Sequence, residues 1–125
     1  MTTVLVVEDG ITDGQIISRY LQAMAIEVIL VESSEAASNH LIHQAPDLII
    51  LDVILPGQSG FELCYQLKNQ ARTRNIPVVI CSSKHTAADQ LLGNMLGADG
   101  YLAKPIEILE LQNLLGNLLT PTKSH

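Results

Sequence analysis

Tryptophan is absent from this 125-residue chain, phenylalanine occurs once and tyrosine three times. A core must therefore be packed from Leu, Ile, Val and Ala, within a hydrophobic fraction of 47%. Positive charge is also scarce: 7 Lys and Arg face 13 Asp and Glu, a formal net charge of −6. That balance lacks the electrostatic footprint of a nucleic-acid binder, and anionic membrane surfaces would repel it. Protein partners and divalent cations are the expected ligands. No apolar run approaches the roughly 20 residues that span a bilayer. No charged leader precedes an apolar segment at the N-terminus, so no secretory signal or membrane insertion is expected, and the expected location is cytoplasmic. The two cysteines, Cys64 and Cys81, show no metal-ligand spacing. They are expected as buried free thiols in a reducing compartment. His40, His43, His85 and His125 share no ligand spacing either, and are expected as ordinary surface side chains.

What is present is an alternation. Short aliphatic or β-branched runs predict strands over residues 3–7, 26–31, 47–51, 77–81 and 100–103. Stretches of helical period separate them. Ile16, Ile17, Tyr20, Leu21 and Met24 recur along one face of the first. Ile108, Leu111, Leu114, Leu115, Leu118 and Leu119 do so in the last. Ser33 or Ser34 is expected to cap the second helix with Glu35 in its first turn, and Gly97 to close the fourth. Thr12 or Asp13 is the expected cap of the first, and Gly57 and Gly60 are expected as turn residues before the third. Five strands alternating with five helices predict one α/β domain with a mostly parallel sheet. The unbroken apolar runs 4–7 and 48–51 suit strands covered on both faces. The domain is placed at residues 1–119, with 120–125 as a flexible tail.

In open parallel sheets, chemistry gathers at the carboxyl ends of the strands. Here those ends carry Glu8 and Asp9, then Asp52, then Ser82 and Ser83, then Lys104 and Pro105. Crowded carboxylates repel unless a hard divalent cation sits among them. Mg2+ suits such a site because it takes one or two carboxylates and keeps room for a phosphate oxygen. Lys104 can neutralise Asp52 at rest and a phosphoryl oxygen afterwards. A carboxylate can itself attack phosphorus, forming an aspartyl phosphate.

Four stretches now carry a resemblance: VLVVED at 4–9, PDLIILDVILPGQSG at 46–60, IPVVICSSK at 76–84 and GADGYLAKP at 97–105. In this order and spacing, nearly the whole chain resembles the receiver domain of two-component response regulators, the CheY-like superfamily. The resemblance implies a flavodoxin-like, doubly wound five-stranded parallel sheet of order 2-1-3-4-5 with five helices. It implies that Asp52 is phosphorylated by a sensor histidine kinase or a CheA-like phosphotransfer domain, with Mg2+ bound. Carried over by position, Asp9 is the direct metal ligand and Glu8 the second acid, acting through water. Asp52 supplies a carboxylate oxygen and Ile54 its backbone carbonyl. Ser82 is the switch hydroxyl, Tyr101 the switch aromatic and Lys104 the family's lysine, joined to Pro105 by a cis bond. The implied protein is not an enzyme beyond catalysing its own phosphorylation and dephosphorylation.

Some positions depart from the family pattern. The acidic pair is Glu8–Asp9 where two aspartates are common, Gly10 follows where a small polar residue is commoner, and Ser83 stands for alanine. Ile54 and Lys84 flank the expected phosphoryl position, and Ile54 offers no group to orient an attacking water. GQSGFELC (57–64) and CSSKHTAAD (81–89) look most like stand-alone regulators of the PilH and CheY type. A chemotaxis, twitching or phototaxis role is therefore expected, with a motility or pilus protein downstream. With no output domain expected, the domain would act by docking or as a phosphate sink. A pseudo-receiver that binds partners unphosphorylated is the alternative, disfavoured by the intact Asp9, Asp52 and Lys104. A haloacid-dehalogenase-type phosphatase needs a second acid two residues after its nucleophile, where this chain has Ile54. A flavodoxin is disfavoured because Glu8 and Asp9 would repel a flavin phosphate.

Overall fold

Side chains alternate across the sheet so that each strand feeds two cores. Val4, Val6, Leu48, Ile50, Val79 and Cys81 pack on one face with Ile17, Leu21, Leu111 and Leu115. Leu5, Val7, Ile49, Leu51, Val78 and Ile80 pack on the other with Ala37, Leu41, Leu63 and Leu67. A computed structural model, describing residues 1–119, shows how the chain reaches this arrangement. The elements are β1 (Thr3–Val7), α1 (Ile11–Ala23), β2 (Glu27–Val31), α2 (Ser34–His43), β3 (Leu48–Leu51), α3 (Gly60–Lys68), β4 (Val78–Ser82), α4 (Ala87–Met95), β5 (Gly100–Ala103) and α5 (Ile108–Leu119). All pairings are parallel, in the order β2-β1-β3-β4-β5. This is the doubly wound, flavodoxin-like fold expected. The order reverses at β1 and β3, and a crevice opens where their carboxyl ends part. The expected tail at 120–125 and His125 lie outside the described residues.

Three strands begin one residue later than expected. Ile26 is taken up by the turn closing α1, where its N–H donates to the Leu21 carbonyl and Ala25 takes φ 61°. Asp47 closes the start of β3 with both its groups: its N–H donates to the Thr3 carbonyl at 2.8 Å and its carboxylate accepts from the Thr3 N–H at 2.8 Å. Pro77 has no N–H for a ladder, whereas β4 runs on to include Ser82. Ser33 caps α2 as expected, accepting from the Ala36 N–H. Gly97, at φ 102°, follows the end of α4 as expected.

The first helix corrects its expectation. Its cap is Gly10, with no side-chain hydrogen bond, and neither Thr12 nor Asp13 fills that role. Ile17 and Leu21 are buried but Ile16 is exposed, since the buried stripe runs through Gly14 instead. Two capping boxes, Ser59 with Glu62 and Thr86 with Asp89, start α3 and α4. Gly60 is no turn residue: it is the first residue of α3. Cys64 and Cys81 are free and buried, and burial pushes their thiols up to about 11 and about 12. They are poor nucleophiles at neutral pH. His43 and His85 are exposed, but His40 is half-buried and its Nε2 is enclosed without a hydrogen-bond partner. No helix among the described residues is long and apolar enough to cross a membrane.

Candidate functional site

β1 and β3 are adjacent, and their register pairs Val7 with Leu51. The residues after each strand therefore emerge side by side. The Asp52 N–H donates to the Val7 carbonyl at 3.1 Å, extending the ladder by one step. Glu8 is held on the other side, its N–H donating to Val31 at 2.9 Å. Glu8 and Asp52 are buried while Asp9 is exposed, so the group opens to water on one side only. Carboxylate oxygens of Glu8, Asp9 and Asp52 lie within 4.8 Å of one another.

Lys104 comes from the far end of the chain. Its backbone N–H donates to the Ser82 carbonyl at 3.1 Å. The Lys104–Pro105 bond is cis, as expected. The ammonium donates to Glu8 Oε1 at 2.7 Å, Asp52 Oδ2 at 2.9 Å and Asp13 Oδ2 at 3.0 Å. Three donors thus meet three carboxylates. Burial is the largest influence on Lys104 and acts downward, but its bonds to Glu8, Asp52 and Asp13 outweigh it and raise the pKa. Burial raises Glu8 above its usual value despite the bonds from Lys104 and the Gly10 N–H. One ammonium facing four carboxylates leaves the site negative. Those hard oxygen donors, open to water at Asp9, fit a small divalent cation.

Asp13 is the member that sequence reasoning missed. It was expected as a helix cap, but its carboxylate turns inward to Lys104. No spacing in the sequence marks it: Asp13 lies in the first turn of α1, and only the tertiary approach of Lys104 brings the two together.

Ser82 is fully buried at the end of β4, and its Oγ accepts from the Lys84 N–H at 3.1 Å. The Tyr101 hydroxyl donates to the Lys84 carbonyl. The peptide groups of Lys84 therefore join Ser82 to Tyr101. Burial pushes the Tyr101 phenol up to about 12, so it stays a donor at neutral pH. Its ring lies over Gly93 of α4, where a Cβ would meet ring carbons at 3.0 and 3.1 Å.

Gly60 supports Asp52 from below. Its N–H donates to Val53 at 2.8 Å, and a Cβ built on it would lie 1.8 Å from the Asp52 carbonyl oxygen. The start of α3 and the loop that carries Asp52 therefore touch backbone to backbone. Ile54 meets Asp52 through its N–H, 3.3 Å from Oδ1, with its side chain exposed beside the carboxylate.

Residues 4–116 match the response regulator receiver domain family. The chain belongs to that family. Among curated proteins, the receiver is 33% identical over 120 residues to the phosphate regulon transcriptional regulatory protein PhoB of Pseudomonas aeruginosa. That alignment covers 96% of this chain and 52% of PhoB. The chain spans about half the length of the curated relatives it matches. Among solved structures, it superposes with a TM-score of 0.90 and 30% identity on the receiver domain of a signal transduction histidine kinase from Syntrophus aciditrophicus. The match covers 100% of this chain and 95% of that one. The receiver domain of sensor histidine kinase PA1611 from Pseudomonas aeruginosa PAO1 matches with a TM-score of 0.88 and 26% identity, covering 96% and 98%. Its structure has a magnesium ion coordinated in the active-site cleft. The receiver described here is thus a signalling module of two-component systems.

Proposed function

We propose that this receiver is a phosphorylation switch whose acceptor is Asp52. The observation that supports it most is the placement of the Asp52 carboxylate. It is bonded to Lys104 at 2.9 Å and lies within 4.8 Å of oxygens of Glu8 and Asp9. An Asp52 oxygen attacks the phosphorus of a phosphohistidine on a kinase or phosphotransfer domain. An O–P bond forms as the N–P bond breaks, and the imidazole leaves with the electron pair and takes up a proton. Lys104 shifts its ammonium toward the phosphoryl oxygens and offsets their charge. Asp9 and Asp52, with the Ile54 carbonyl and with Glu8 acting through water, would hold Mg2+, which when bound would supply positive charge against that of the transferred group.

The phosphoryl group adds about −1.5 to −2 charge and three acceptor oxygens. Ser82 turns its hydroxyl toward one of them and so gives up the Lys84 N–H. Because the same peptide segment accepts from Tyr101, the loop after β4 moves and Tyr101 is freed to rotate. The surface of α4, β5 and α5 changes, and a partner reads that change as a population shift.

The decisive experiment exposes the protein to acetyl phosphate or beryllofluoride with Mg2+, using Asp52→Ala as control. A phosphoryl adduct on Asp52, absent from the control, is the expected result. No adduct would favour a pseudo-receiver that binds partners unphosphorylated. The resemblance of 57–64 and 81–89 to PilH- and CheY-type regulators supports a stand-alone cytoplasmic regulator. It would be fed by a CheA-like kinase and act on a motility or pilus protein, or drain phosphate as a sink. The acidic surface supports a protein target over nucleic acid. A phosphotransfer profile against the host's histidine kinases tests the pathway.

Ile54 is 57% exposed at this carboxylate and presents only hydrocarbon to an incoming water. The aspartyl phosphate is therefore expected to decay about tenfold more slowly in the wild type than in Ile54→Asn, whose amide can orient water. Phos-tag decay curves that superimpose for the two proteins would remove Ile54 from this role.

A further inference from the structure

Asp13 belongs to none of the roles assigned so far, yet it makes one of three bonds to the site's single ammonium. Its carboxylate lies 3.0 Å from Lys104 Nζ, close to the 2.7 and 2.9 Å of Glu8 and Asp52. The Lys104 side chain is 11% exposed and that of Asp13 46%. The ammonium is thus confined among the buried acids on one side and tethered from the solvent side by α1. An ammonium has three protons to donate, and all three are engaged. Neither the cap role expected of Asp13 nor any capping bond explains its inward turn.

We propose that Asp13 is a positioning residue for Lys104, a resting-state tether that opposes the phosphorylated state and favours the metal-bound, unphosphorylated one. The proposal rests on the reading of Asp52 as phosphoacceptor. To reach a phosphoryl oxygen, Lys104 must surrender one of its three bonds. Asp13 sits on α1, separate from Asp52, and while its bond holds, one proton of the ammonium is withheld from a group growing on Asp52. Its charge also repels the incoming dianion. Both effects act against phosphorylation. Toward a cation the sign reverses: Asp13 adds negative charge and holds part of the lysine's attention, leaving Glu8 and Asp52 freer to bind metal.

These opposite signs make the test specific. Wild type, Asp13→Asn and Asp13→Glu are titrated with Mg2+ alone by calorimetry. Each is then titrated with beryllofluoride at saturating Mg2+, followed by amide NMR shifts. Asp13→Asn is expected to bind beryllofluoride about three- to fivefold more tightly and Mg2+ alone about two- to threefold more weakly, sizes suited to a half-exposed ion pair. Asp13→Glu, which restores the charge, is expected to return both affinities toward the wild type. A merely structural role would weaken both ligands together, and that result, or unchanged affinities, would overturn the proposal. Failure of wild type to take up beryllofluoride at all is a different outcome: it removes the phosphoacceptor reading, and this proposal falls with it.

Discussion

Lys104→Met is expected to lower the stability of the receiver at pH 7 by about 3 kcal/mol, the low end of the cost of stripping a buried charge of its partner. The methionine keeps much of the side-chain volume, so the loss is electrostatic. Glu8, Asp52 and Asp13 would be left facing one another with no positive charge among them. Solvent access at Asp9 and Asp13 keeps the cost from the upper end of that range.

The pH dependence has a definite sign. In the wild type the folded-state pKa of Lys104 is raised. Its stabilisation is thus complete below the unfolded lysine value of about 10.4 and is lost as pH rises through the folded value. Glu8 behaves the other way from a typical salt-bridged acid, because burial raises it above 4.5. A raised acid binds its proton more tightly when folded, so its contribution favours folding at low pH and fades as pH rises above 4.5. Removing Lys104 takes away a bond that lowers Glu8, which strengthens this trend. The deficit of Lys104→Met relative to wild type should therefore grow between pH 5 and pH 7. Mg2+ should recover part of it, since a cation restores the missing positive charge. Thermal melts at pH 5 and 7, with and without Mg2+, provide the check. Coincident melts of the two proteins at pH 7 would show that the three bonds contribute nothing.

Gly60→Ala is expected to cost at least about 3 kcal/mol and to lower the melting temperature by about 10 °C or more. The added Cβ would stand 1.8 Å from the Asp52 carbonyl oxygen, 2.7 Å from its carbonyl carbon and 2.8 Å from Val53 Cα. All three are backbone atoms, so no rotamer change relieves the clash. Either α3 retreats, losing the 2.8 Å bond from the Gly60 N–H to Val53 and loosening Leu63 and Leu67, or the Asp52 loop shifts. The second route moves the carboxylate away from Lys104, so phosphorylation should fall even where the protein remains folded. Gly57→Ala is the informative comparison. That position has φ 74° but nothing within 4 Å of a new Cβ, so its cost is conformational alone and should be nearer 1 kcal/mol. Equal melting points for Gly60→Ala and wild type would contradict the contact.

Much of the fold was legible because its cause is local. The apolar runs at 4–7 and 48–51 suit strands covered on both faces, and both are buried throughout. The strand starts that were misplaced, at Ile26, Asp47 and Pro77, are positions where a turn, a side-chain bond or a missing N–H decides the boundary. Local hydrophobicity carries no record of those competitors. The capping boxes at Ser59–Glu62 and Thr86–Asp89 are local as well, each a three-residue spacing that the sequence carries.

The site divides the same way. Glu8, Asp9, Asp52, Ser82 and Lys104 could be gathered from sequence because alternation of strands and helices puts strand ends at one edge. The resemblance then added Tyr101 and Ile54. What the sequence determines by itself is therefore the order of elements, the two-faced sheet and the acids at its carboxyl edge, since each depends on neighbours a few residues away. The tertiary structure alone decides that Lys104 divides its protons among Glu8, Asp52 and Asp13, up to 96 residues distant. It alone decides that Lys84 joins Ser82 to Tyr101, and that Asp52 rests against a missing side chain at Gly60. These contacts depend on strand register and on where a loop and a helix start come to lie, quantities set by the packing of the whole sheet at once.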